Sequence, residues 1–455
     1  MIAKPWNLLL FALLILALAW PALAAETTLK DDAYHYIPNG INDGLFTEWW
    51  YFNGRDNDTQ FLFSYFLIDP ENITGMRKIW LLAIVMDDVP IVGLYEGEAF
   101  EANSTMPYVS MGNNTMIAIN RSTYRIMGNI GDFMFNQPMH WNLTYVAHFD
   151  PWFVASDQPP AGHIEGDWMN YLIYMPSAQV TGTLSARDKT RNISAVGYHD
   201  HNWGRWAFND PRWNWAQVSR PEDNFSLAAF DTLEHEGDVS LCILLNKTII
   251  EFNDSQVNVS YLDFDLDTYW SSRTYPTAYR IEADNGEHQL DLDIEVQKTV
   301  ALPVIYPRPL PDYFIFEQVA RFNGTLKSGG DLLYQFEETG FVENTTHRLH
   351  PLIGRLNSSD PLNATVTAIN ERTGQAKTTR PGSSGLFSID GNFTDYLALD
   401  EDGGIEDGSM MPWVAQGDNV SIRAADGSGV KNGTAITIDL GSDRQSIGIL
   451  DLNAA

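Results

Sequence analysis

Short runs rich in Tyr, Phe, Trp, Ile, Val and Thr recur along this chain, and long helical periodicity is hard to find. A chain patterned in this way buries apolar surface by pairing strands rather than by packing helices. Residues 61–66, 79–86, 171–175, 180–186 and 225–233 read as strands. Asn39-Gly40, Asn53-Gly54, Asn285-Gly286 and Asn323-Gly324 read as the turns that separate such strands. The expected fold class is therefore all-β. A Trp-dense stretch closes one segment near residue 215, and a second set of strands runs from 216 to about 348. From 349 Gly, Ser, Thr, Asn and Asp rise and aromatic residues thin out. Strand-like pieces at 364–369, 386–389, 420–424 and 435–440 suit a small C-terminal β-sandwich of immunoglobulin-like type.

The first 24 residues carry Lys4, an apolar run from Trp6 to Trp20 and the small-residue site Ala22-Leu23-Ala24. This is the grammar of a secretory signal peptide cleaved before Ala25. The alternative is an uncleaved anchor, but the run is shorter than the roughly 20 residues a spanning helix needs. No later stretch is long and apolar enough to cross a membrane as a helix. Eighteen Asn-x-Ser/Thr triplets lie between Asn57 and Asn432, against roughly five expected from composition, which predicts a glycosylated exterior protein. The single Cys242 excludes an intramolecular disulfide, and its apolar surroundings predict a buried core thiol. A formal net charge of −31 excludes nucleic acid and anionic lipid surfaces as partners and favours solubility.

Two strings concentrate chemistry. In Gly197-Tyr198-His199-Asp200-His201-Asn202-Trp203-Gly204, strand alternation puts His199, His201 and Trp203 on one face and Asp200 and Asn202 on the other. Two His at i and i+2 could begin a metal site, but no third ligand with matching spacing is identified, so neither metal nor cofactor is expected. A His beside an Asp and a Trp wall suits proton transfer, while the plainer reading is a satisfied core His. In Glu48-Trp49-Trp50-Tyr51-Phe52-Asn53-Gly54, preceded by His35, either Trp50 and Phe52 or Trp49 and Tyr51 would line a pocket. Here the plainer reading is a core strand with a hydrogen-bonded Glu48.

Together these strings resemble the AttH-like family, which includes carotenoid 1,2-hydratase (hydroxyneurosporene synthase), with related folds in kievitone hydratases and fungal Diels–Alderase-type cyclases. Residues 316–324, containing Glu317, and residues 340–343 fall where that family would have them, and the resemblance spans residues 34–346. It implies two tandem lipocalin-like β-barrels, at 25–215 and 216–348, with a site between or inside them. It further implies that His201 and Trp203 act with an acid, carried onto Asp231, whereas the family's Tyr two positions earlier is Ala229 here. Glu48, Trp50, Phe52, His199, Phe230 and Glu317 would shape the ligand pocket.

The activity implied is cofactor-independent hydration, isomerisation or cyclisation of an apolar, isoprenoid-like alkene. Convergence of His201, Trp203 and Asp231 on one apolar cavity, within about 6 Å, is its structural requirement. A non-catalytic lipocalin-like carrier of a hydrophobic small molecule and a cell-surface adhesion protein stand as alternatives. The acidic run Asp400 to Gly408 lacks the spacing of an EF-hand loop and reads as a solvated turn.

Overall fold

A computed structural model of the chain describes residues 27–37, 46–73, 77–158, 168–205, 213–232, 239–268, 271–304, 312–348, 351–389, 414, 416–427, 429–439 and 445–453. The leader at 1–24, the Asn39-Gly40 turn and the acidic run at 400–408 lie outside these. Strands dominate, and the helical elements among the described residues are single 3-10 turns.

Two large antiparallel sheets, each curled into a half-barrel, carry the first three-quarters of the chain. The first has twelve strands, with Phe46–Arg55 between Gln60–Ile68 and Lys189–Arg205 at its centre. Its inner face is a core of large side chains, including Trp50, Phe52, Phe63, Tyr65, Tyr124 and Tyr145. Each such side chain, once buried, contributes roughly 1.5–3 kcal/mol. The second sheet has nine strands, and at its centre Trp213–Arg220 pairs with Asp331–Arg348, which pairs with Asp312–Ser328. Its inner face is packed by Phe225, Leu241, Leu292, Phe322 and Phe336, among others.

A third apolar cluster joins the outer faces of the two sheets through Tyr51, Tyr171, Tyr198, Trp215, Val319 and Phe341. Polar clamps flank it. Lys298 Nζ donates to Gln60 Oε1 at 3.0 Å and to the Met86 carbonyl at 2.6 Å, and Arg55 donates to the Ser219 carbonyl at 2.6 Å. Both faces of the central strands are therefore buried. The C-terminal segment forms a three-stranded and a four-stranded sheet packed over Leu356, Val366, Phe387, Ile422 and Leu450, a seven-stranded sandwich.

Two expected turns are not turns. Asn53-Gly54 and Asn323-Gly324 lie inside strands Phe46–Arg55 and Asp312–Ser328. Each glycine sits opposite a Phe across the ladder, Gly54 against Phe61 and Gly324 against Phe336. A Cβ at either position would approach that ring to 2.4 Å, so the glycine makes room for an aromatic lid. Asn285-Gly286 does turn, with Gly286 at φ +88. Residues 171–175 and 180–186 are parts of one strand, Trp168–Ala186, bent by register shifts between Ile173 and Ala178.

Candidate active site

The two motif strands pair antiparallel, setting Glu48 opposite Trp203, Trp50 opposite His201, Tyr51 opposite Asp200 and Phe52 opposite His199. On the face turned into the first core, Glu48, His199 and His201 are wholly buried, and Trp203 nearly so. His201 Nε2 lies 2.9 Å from Glu48 Oε1, and the other side of its ring lies 3.2 Å from Asp32 Oδ1, although off the hydrogen-bond axis. His199 Nε2 lies 3.2 Å from Asp32 Oδ2, and its Nδ1 lies 2.9 Å from the Tyr51 carbonyl. The rings are stacked: His35 on Trp203 at 3.8 Å, Phe52 on His199 at 3.9 Å and Trp50 on His201 at 4.5 Å. Burial alone would raise Asp32 and lower His201, but the imidazoles of His199 and then His201 hold Asp32 well below the usual carboxylate range, and Asp32 and Glu48 together hold His201 above the usual imidazole value. This face is packed side chain against side chain.

The opposite face opens on a cavity of about 560 Å³ between the two sheets, within the range of small-molecule sites. Its walls include Trp49, Tyr51, Phe66, Trp80, Trp213, Tyr313, Ile315 and residues 299–304. Trp49 and Trp213, one from each sheet, stack at 5.9 Å. Two carboxyls line it as well. Glu317 and Glu343 face each other across neighbouring strands and share a hydrogen bond. Glu317 is only 3% exposed and Glu343 is half-buried.

Trp213 Nε1 donates to Glu343 Oε1 at 2.5 Å, whereas Glu317 Oε2 is buried without a hydrogen-bond partner among the described residues. Burial first, and then repulsion between neighbouring carboxylates, pushes both acids up, Glu317 furthest. The pair retains a proton where a solvated Glu has none.

A smaller void of about 30 Å³ adjoins this pair and is lined by Tyr171, Asp200, Asn202, Phe230 and Glu343. That space suffices for a water among polar partners. Asp200 accepts from Tyr198 at 2.9 Å, Asn202 at 3.1 Å and Tyr171 at 3.3 Å. Burial nevertheless lifts its pKa to about 7.

Glu317 and Phe230 therefore line the inter-sheet space. Glu48, Trp50, Phe52, His199, His201 and Trp203 instead form the closed cluster, because their strand alternation turns them into the first core. His201 and Trp203 lie 4.7 Å apart, but neither lines the cavity. Asp231 pairs through its backbone with Asn214 and Val239, and its side chain lies outside the described residues. Trp49 and Tyr51, the other face of the same string, line the cavity. Asp200 and Glu343 stand within the quoted strings without a pattern that marks them as site residues, and Trp213 falls in the Trp-dense stretch near residue 215.

No family model and no curated protein matches the chain. Solved structures similar to it include kievitone hydratase from Nectria haematococca, at 18% identity and TM-score 0.48 over 71% of this chain and 96% of that one. CghA aligns at 12% identity and TM-score 0.48 over 71% and 97%. A protein described as an AttH candidate from Nitrosomonas europaea aligns at 14% identity and TM-score 0.47 over 71% and 98%.

Proposed function

We propose that this protein binds an elongated apolar small molecule between its two large sheets and transfers a proton to it from the Glu317–Glu343 pair. The observation that carries the reading is a carboxyl pair held above its ordinary pKa at the wall of an aromatic cavity, with one Glu317 oxygen unengaged. Protonating an alkene carbon takes a strong donor kept out of water, and burial supplies one. The cation that forms would face the indoles of Trp49 and Trp213, whose π-faces attract positive charge. In hydration, the alkene π electrons take the acid proton and a water in the void beside Asp200 attacks the cation. The oxonium proton then returns to the vacant carboxylate. Isomerisation or cyclisation follows if a C–H proton is returned instead.

Export through the leader at 1–24 is part of the proposal, and it makes an isoprenoid or lipid-like molecule met outside the cell the substrate class. The test is proton transfer itself. Purified protein is incubated in D₂O with a panel of terminal isoprenoid alkenes, and deuterium on carbon is read by mass spectrometry. Deuteration is expected with the parent protein and reduced about a hundredfold or more in Glu317→Gln. Tight binding with no deuterium in any alkene would refute catalysis and leave a carrier.

A further inference from the structure

The closed cluster behind the motif strands has a second arrangement in it. His35, Glu48 and His201 each place one donor atom within 4.8 Å of the others. His35 Nδ1 lies 3.2 Å from Glu48 Oε1, and His201 Nε2 lies 2.9 Å from the same oxygen. Ligands bound at roughly 2.0–2.1 Å around a tetrahedral ion stand about 3.3–3.4 Å apart, so modest side-chain adjustment brings these atoms onto one centre. We propose that His35, Glu48 and His201 bind a single first-row divalent cation of the zinc class, separate from the inter-sheet cavity.

Three features beyond the donor set support this. The far nitrogen of His201 faces Asp32 Oδ1 at 3.2 Å but off the hydrogen-bond axis, so a modest ring rotation would set the carboxylate–imidazole arrangement that orients a metal-bound His. Asp32 is itself fixed by His199 and by the Tyr124 hydroxyl. Both ligand rings are clamped by indoles, His35 on Trp203 and His201 under Trp50, so little freedom is lost on binding. Glu48 and Asp32 are two wholly buried carboxylates, and a dication between the imidazoles offsets their charge. His35 is 23% exposed and the other two ligands are 0% exposed, so the ion reaches the site from the His35 side. Two imidazoles and one carboxylate leave a fourth position for water, a donor set that suits zinc and also ferrous iron.

The test uses the full chain stripped with a chelator, given excess Zn(II), desalted and assayed for bound metal. Co(II) in a parallel sample reads the ligand field. One equivalent of zinc, cobalt d–d bands of four-coordinate intensity and a raised unfolding midpoint are expected. His35→Asn, which alters the partly exposed ligand, should lose all three, and Glu317→Gln should keep them. An adventitious ion on the acidic surface would survive His35→Asn unchanged, and that result overturns the proposal. So does a stripped parent protein that retains no zinc and gives no cobalt bands, a result that stands even if His35→Asn fails to fold.

Discussion

Asp200→Asn isolates the effect of burying an acid in the inter-sheet region. Asp200 is 3% exposed, and burial lifts its pKa to about 7 against the pull of Tyr198, Tyr171, His201 and Asn202. The unfolded chain releases the same proton near pH 3.9. Between those values the folded state binds more protons than the unfolded one. The contribution is therefore full below about pH 4, falls as pH rises and is flat above about pH 7. From about pH 5 to about pH 9 the fall covers roughly two pKa units, or roughly 3 kcal/mol at 1.36 kcal/mol per unit. Asn keeps the shape and an acceptor for the tyrosines but carries no charge at any pH. Urea unfolding followed by tryptophan fluorescence, at a series of pH values, should show the variant gaining roughly 3 kcal/mol on the parent across that window. A difference that does not change with pH would refute the argument. A variant that loses ground as pH rises would invert it, because it would mean that the three hydrogen-bond donors hold Asp200 ionised.

Other outcomes are equally open to measurement. His201→Ala leaves Glu48 and Asp32 buried without their shared imidazole and should cost about 3–5 kcal/mol, read from the urea midpoint. The cost should shrink in acid, where the parent itself loses the stability that comes from holding Asp32 ionised. Cys242 lies buried in the apolar cluster between the two sheets, and burial pushes its thiol up to about 12. It should therefore react with a disulfide reagent only after denaturation, and rapid labelling of native protein at neutral pH would contradict the packing around it.

The all-β class and the alternation at 199–203 were legible because each rests on neighbours within one strand, whereas the pairing of the two aromatic strings was not. What alternation could not settle was which face opens on space. Trp50 and Phe52, or Trp49 and Tyr51, fit the same rule, and both faces are buried here. The choice is made by strands that lie more than 150 residues further on, whose Glu317 and Glu343 meet the Tyr51 face through the packing of a second sheet. The Asn-Gly pairs misled for a related reason, since the partner that makes Gly54 a strand residue is the ring of Phe61, fixed by ladder register rather than by the dipeptide.

Register also links the two faces. A slip of one residue between Phe46–Arg55 and Lys189–Arg205 would turn every side chain of one strand to the other face. It would bury Asp200 among the rings of the first core and separate Glu48 from His201. The Glu48–His201–Asp32 contacts and the ring stacks on either side of them oppose that slip, because breaking them strands charge in an apolar core. The closed cluster thus holds Tyr51 and Asp200 towards the cavity. Mutations at His201 should accordingly disturb the proton transfer proposed for Glu317 through strand placement, without His201 lining the cavity.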